Sequence, residues 1–343
     1  MQDKKPAPDS KRAKVFLWVG SATALISLFL GAHQVWILAS NRLLHRQQIT
    51  SLIASAKLQE DARAYSTAWA SLESAAALAP DSRLPKLQED LAMKWLEDIH
   101  LHSGETFSDV IKKIEPALTR GATAATDPVR TTDLLAHIGW CSFLRTRDGD
   151  FTANPEALYE QAVRLDPKNP YANAMWGHWI LWQHGAMDKA RARFQSAVSS
   201  GRERAYVRNL QLSAMLNSHS DEYEDEALRV TNEIRKEGGN IDEHSSSSLA
   251  NIYSELTHDD SRRSGIIGAY PPAEQIETIR WLNAQSNGDS YKITLGTYTL
   301  AVMQEAAGQR DAAKNSYQTV LSSATTDANT LRKLALQGLS RTK

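Results

Sequence analysis

The stretch Asn169–Val198, NPYANAMWGHWILWQHGAMDKARARFQSAV, decides how the chain is read. Met175, Trp176, Trp179, Ile180 and Gln183 recur at helical spacing, so a first helix is predicted with these residues on one side. His184 and Gly185 interrupt the pattern where a turn is needed. Asp188 then supplies a first-turn carboxylate, which favours the start of a second helix. Ala190, Phe194, Ala197 and Val198 form that helix's apolar stripe. The small residues set the geometry. Gly177 has no Cβ, so the second helix can come close there, where Ala190 meets it. Phe194 fills the space between the two helices, and Ala197 admits a third.

A helix pair with these small positions is suited to stacking on copies of itself. On Trp176-Gly177, Ala190, Phe194 and Ala197 the stretch resembles the tetratricopeptide repeat, although its turn is one residue longer and no Pro closes it. The same positions recur. Ala56, Ala68, Leu72, Ala75 and Leu78 with Pro80 mark a unit over 49–81. Ile138-Gly139, Tyr159, Ala162, Leu165 and Pro167 mark one over 131–167. Leu300-Ala301, Gly308, Ala313, Tyr317 and Val320 mark the last. Three weaker pairs are expected over 84–118, 204–236 and 243–282, and a closing helix over 327–339. In the weaker pair over 84–118, Pro116 is placed near the helix end, before a linker at 121–127. The resemblance implies an all-α chain, an α-solenoid of about seven antiparallel helix pairs, several degenerate, over residues 40–343. It also implies a protein-binding scaffold, without naming the partner.

Composition agrees with an all-α reading and excludes some functions. The chain of 343 residues has a formal net charge of −1, so the concentrated basic face of a nucleic-acid binder is not expected. A single cysteine, Cys141, cannot form an internal disulfide.

The amino terminus reads differently. Residues 1–14 are polar and carry Lys4, Lys5, Lys11, Arg12 and Lys14, as expected of a disordered tail. Val15–Ala39 is almost wholly apolar, and a spanning helix needs roughly 20 such residues. Trp18 and Trp36 would stand about 27 Å apart on a helix, like interfacial anchors. Arg42 and Arg46 are outnumbered by the basic residues before the span. The expected orientation therefore keeps the amino terminus cytoplasmic and puts the solenoid in the periplasm of an inner membrane. A cleaved signal ending near Leu38-Ala39-Ser40 is the alternative. Gly20 with Ala24, and Ser27 with Gly31, are spaced for anchor pairing into a homodimer.

No metal-binding, nucleophile-elbow or phosphate-loop motif is present, and no catalytic residue, metal or cofactor is expected. His100 and His102 would point about 200° apart on a helix. His258, Asp259 and Asp260 gather possible ligands in the 257–271 loop, which leaves an unrecognised enzyme as an alternative. The Ser245–Ser248 run reads as a helix start with serine as its cap. The resemblance places first helices along a groove, so Ala136, Trp140, Phe143, Ala174, His178, Leu181 and Trp182 are the expected peptide-binding face. The competing reading packs Trp140 and Trp182 beneath neighbouring repeats.

Overall fold

The structure is a computed structural model describing residues 42–101, 104–217, 221–256, 272–285, 289–325 and 328–342, together with His33, Trp36 and Ser40. Among these residues there are fifteen α-helices and no strand. The chain divides into two compact units, one ending at Asp98 and one beginning at Ile99.

The first unit contains α1 (42–61), α2 (Tyr65–Leu78) and α3 (Leu84–Glu97). Its core is Ile49, Ala56, Ala68, Trp69, Leu72, Ala75, Leu91, Trp95 and Leu96. Arg63 adopts φ 57° to turn the chain between α1 and α2. Ser71 Oγ donates to Gln59 Oε1 at 2.9 Å, and Lys94 pairs with Glu60, so α2 and α3 are both tied to α1.

The second unit runs through α4 (Phe107–Ala124), α5 (Pro128–Arg147), α6 (Pro155–Leu165), α7 (Pro170–Trp182), α8 (Met187–Ser199), α9 (Arg204–Leu216), α10 (Asp221–Lys236) and α11 (Glu243–Leu256). It continues with α12 (Pro272–Ala284), α13 (Ser290–Ala306), α14 (Arg310–Ser322) and α15 (Asn329–Arg341). Two layers result. Helices α5, α7, α9, α11, α13 and α15 each touch the next in that series. Helices α4, α6, α8, α10, α12 and α14 form the other layer, each packed on the first-layer helix that follows it. Neighbour-only packing of this kind is what a repeat stack requires.

Local sequence starts several of these helices in one way. Asp127-Pro128, Asn154-Pro155 and Asn169-Pro170 place an Asx cap directly before a Pro at the first helical position. Each side-chain oxygen accepts an N–H from the first turn: Val129 at 3.1 Å, Glu156 at 3.2 Å and Ala172 at 2.8 Å. The Pro costs nothing there, because that N–H has no helical partner anyway.

The hairpins close on glycine. A Cβ placed on Gly139 would lie 2.5 Å from Tyr159 Cε1. One placed on Gly177 would meet the Phe194 ring at 3.0 Å, so Phe194, more than Ala190, is what Gly177 admits. Both rings are buried.

Several expectations need correction. Helix α4 runs through Pro116 and Gly121 to Ala124, so the expected linker shrinks to three residues, 125–127, and α5 starts at Pro128. The capping box of Thr106 with Asp109 and the buried stripe Val110, Ile111, Ile114, Ala117, Leu118 hold α4 together across the proline. The cap at the start of α11 is Asp242, which accepts from the Ser245 N–H and hydroxyl, so the serine donates instead. Leu165 is exposed. Helix α12 lies chiefly on α13 and α10. The helices expected to pair over 84–118, α3 and α4, fall in different units.

No helix among the described residues is long and apolar enough to cross a membrane. The expected span over 15–39 lies outside the described residues except for His33 and Trp36. The pairing residues Gly20, Ala24, Ser27 and Gly31 also lie outside, as does the whole 257–271 loop.

The two glycines should respond unequally to alanine. At Gly139 the new methyl displaces a buried ring, costing about 1–3 kcal/mol against about 1 kcal/mol gained in helix propensity. Gly139→Ala should therefore lower the melting temperature, while at Gly177 the Phe194 ring, 3.0 Å from the new methyl, has to give by only a few tenths of an ångström, so Gly177→Ala should cost less than Gly139→Ala. Circular dichroism melts of the two variants check this order.

Candidate interaction surface

The surface is built on the neighbouring first-layer helices α5 and α7, held in register by a buried polar node. Asn169 caps α7 with its side-chain oxygen and turns its amide toward α5. There Nδ2 donates to Thr132 Oγ1 at 2.9 Å and to Asp133 Oδ1 at 2.7 Å. Arg202, in the turn after α8, donates to the other Asp133 oxygen at 2.6 Å. Thr132 and Asn169 are fully buried and Asp133 nearly so. The node thus joins residues 69 positions apart. A carboxylate this buried is tolerable because both oxygens are satisfied.

Aromatic rings pack further along the same two helices. Trp140 and Phe143 of α5 lie 4.6 Å apart between ring centroids. His178 of α7 sits edge-on to both, at 5.1 and 5.0 Å. Trp182 meets Phe143 at 5.5 Å with planes nearly perpendicular, the favoured arrangement for aromatic quadrupoles. Arg147 places its guanidinium 5.8 Å from the Trp182 ring and 4.9 Å from Phe107 of α4. A second row, His137 with Tyr171 and Tyr171 with Tyr206, extends across α5, α7 and α9.

These contacts place each expected groove residue. Ala136, Phe143, Ala174 and Leu181 are buried within the chain, and Trp140 and His178 are nearly so. Trp182 is 45% exposed, alone among the seven in offering a large surface. The cause is that α7 is packed by α5, α6, α8 and α9 together. Its residues are therefore buried almost all round, where the sequence suggested a single stripe. Trp176, expected in that stripe, is half-buried and lines a separate cleft of about 540 Å³ with Glu156, Gln183, Lys189 and Arg193. Arg193 stacks 3.6 Å from its ring.

Burial leaves its mark on the polar atoms. His178 Nδ1 and Trp140 Nε1 are buried with no hydrogen-bond partner. Desolvation, helped by the nearby Arg147 charge, pulls the His178 imidazole down to about 3. Burial pushes the Cys141 thiol up, so it is unreactive. Away from the aromatic rows, burial would raise Glu226, but hydrogen bonds from Arg229 and Arg191 outweigh it and hold the carboxyl at about 2. Among the described residues no cluster of three His, Cys, Asp or Glu side chains is arranged to hold a metal.

Sequence reading missed Arg147, Asn169, Asp133 and Arg202. The Asn-Pro step at 169–170 does signal a helix start, so that cap was legible. Nothing local brings Arg202 to Asp133.

No protein-family model matches the chain, and no curated protein matches it. Among solved structures it is similar to a tetratricopeptide repeat protein from Parabacteroides merdae. The two share 14% identity, the match covers 86% of this chain and 99% of that one, and the TM-score is 0.38.

Two measurements address the site. Asn169→Ala leaves Asp133 and Thr132 short of a buried donor and should cost about 2–3 kcal/mol, read as a lower urea midpoint. His178 stays neutral in the folded chain down to about pH 3 but takes up a proton near 6.5 when unfolded. The unfolded state therefore binds more protons between those values, and stability should fall as pH drops from about 6.5 toward 3. His178→Gln should flatten this limb of the melting temperature against pH; an unchanged slope would assign it to other groups.

Proposed function

We propose that the chain is a non-enzymatic scaffold that recruits or positions a protein partner at the bacterial inner membrane, in envelope assembly, secretion or polysaccharide export. In this reading residues 15–39 anchor it, the amino terminus is cytoplasmic and the helical stack is periplasmic. The partner contributes an extended or helical peptide that lies along the first-layer helices. The observation that carries the reading is Trp182. It is a large aromatic held at one edge by Phe143 and flanked by Arg147, with 45% of its surface exposed. Trp and Arg are the residue types most enriched in interface hot spots, and a ring already immobilised loses little entropy on binding. The buried Trp140, Phe143, Ala174, Leu181 and His178 then support the surface, with only the edges of Trp140 and His178 reaching a ligand. The reverse topology, a cytoplasm-facing tether for a soluble regulator or enzyme, would use the same surface.

A photocrosslinking residue at position 182, in intact membranes, should yield a discrete adduct that the same residue at the exposed Phe151 position does not. Trp182→Ala should cut recovery of that partner by about tenfold or more. Identical adducts from both positions would sink the proposal. For topology, a carboxy-terminal alkaline phosphatase fusion should be active and a cytoplasm-dependent fluorescent fusion dark. The opposite pair of results would select the cytoplasmic tether.

A further inference from the structure

The first unit carries a cleft of about 600 Å³ between α1 and the 79–83 segment that joins α2 to α3. Arg42, His45, Arg46 and Thr50 line it from α1, and Asp81 and Arg83 from the opposite side. Positions 42, 45, 46, 49 and 50 share one face of a helix. Of them Ile49 alone is buried, so the face turns its basic side chains outward.

The charge balance of this cleft is one-sided. Its single lining carboxylate, Asp81, is already engaged. Arg83 donates Nε to Oδ1 at 3.0 Å and a terminal nitrogen to Oδ2 at 2.8 Å, and its backbone N–H donates to Oδ1 at 2.9 Å. These bonds hold the Asp81 carboxyl at about 2. The Arg83 guanidinium has five N–H donors, so it keeps some for a further acceptor. Among the described residues Arg42 and Arg46 form no ion pair, although the Arg46 charge also helps to lower Asp81, so the cleft keeps a net positive lining beside the His45 imidazole and the Ser82 hydroxyl. The Thr50 hydroxyl is already spent on the Arg46 carbonyl, at 2.9 Å.

Arginines that line a cleft from two sides suit a tetrahedral oxyanion better than a planar carboxylate, because its oxygens point in several directions at once. Position in the chain adds to this. If the anchor ends near Ala39, a helical rise of about 1.5 Å per residue puts Arg42 about 4.5 Å and Arg46 about 10 Å beyond it. A headgroup layer is about 5–8 Å deep, so Arg42 falls within it and Arg46 just beyond, where a long side chain can reach back toward it. We propose that this cleft is a phosphate-binding site, occupied by the headgroup phosphate of an anionic lipid at the foot of the anchor or by a free phosphate. The lipid source rests on the membrane reading above; the free-phosphate source does not.

The test uses the full chain in uncharged detergent micelles. One calorimetric titration is with inorganic phosphate. A second is with short-chain phosphatidylglycerol against phosphatidylcholine. Wild type should bind at least one anionic ligand, and Arg42→Gln/Arg46→Gln should weaken that binding by roughly tenfold or more. Arg42→Lys/Arg46→Lys should retain most of it, and added salt should weaken it in wild type. Binding of phosphatidylglycerol alone identifies a lipid headgroup as the source; binding of inorganic phosphate alone identifies a free phosphate. The proposal is overturned if neither binds below about 10 mM, or if the glutamine variant, folded by circular dichroism, binds like wild type. A wrong topology would show in the fusion pair while leaving the phosphate titration intact.

Discussion

The second unit depends on how closely two helices of a hairpin can approach. Tyr159 against Gly139 and Phe194 against Gly177 are the same arrangement, an outer-layer ring pressed onto an inner-layer backbone with no Cβ between them. Tyr317 of α14 presses in the same way on Gly338, but on the following helix α15 and not on its own hairpin partner α13. A ring filling that gap gives the close packing of a protein interior and sets the distance between layers. With that distance set, each outer helix can reach the following inner helix as well as its own partner. Tyr317 also shows how a polar tip is managed at the end of the stack. Its hydroxyl donates to Glu305 at 2.6 Å, and Arg341 donates to the same carboxylate.

The cost of this packing falls on the inner layer. A helix covered on four sides must satisfy whatever polar groups it carries. Asn169, Thr132 and Asp133 do so through one shared network, completed by Arg202 from the next turn. Further along the stack Glu226 is buried but receives both Arg191 and Arg229, which binds α8 to α10. His178 and Trp140 are different: His178 Nδ1 and Trp140 Nε1 find no partner, and desolvation with the nearby Arg147 charge keeps the imidazole neutral. The aromatic rows are consequently largely buried, with Trp182 and Arg147 at their exposed edge.

Legibility differed between fold and site for physical reasons. Helix pairing was readable where a hairpin, as in α5–α6 and α7–α8, is encoded within about thirty to forty residues by glycine, alanine and one ring at fixed offsets; the expected α3–α4 pair, which lacks that pattern, falls in two units. Helix α4 was misjudged at its end, because Pro116 is a local stop signal that tertiary burial of Val110, Ile111, Ile114 and Leu118 overrides. The site was half readable. Spacing placed Trp140, Phe143, His178 and Trp182 on neighbouring helices, and they do touch. Their exposure was not readable, because periodicity reports which residues share a face and not how many neighbours cover it. The basic face of α1 was visible as single residues, but the 79–83 segment that turns it into a cleft comes from more than thirty positions away.

By itself, then, the sequence determined an all-α chain, most of its hairpins and the glycines at Gly139 and Gly177, since these follow from local spacing and side-chain size. It also placed the apolar run over 15–39. Only the tertiary structure decided that α7 is enclosed almost all round, that Asp133 meets Arg202, that Trp182 stays exposed while Trp140 does not, and that the chain parts into two units after Asp98. Those outcomes depend on contacts between repeats, where residues far apart in the chain compete to bury the same surface.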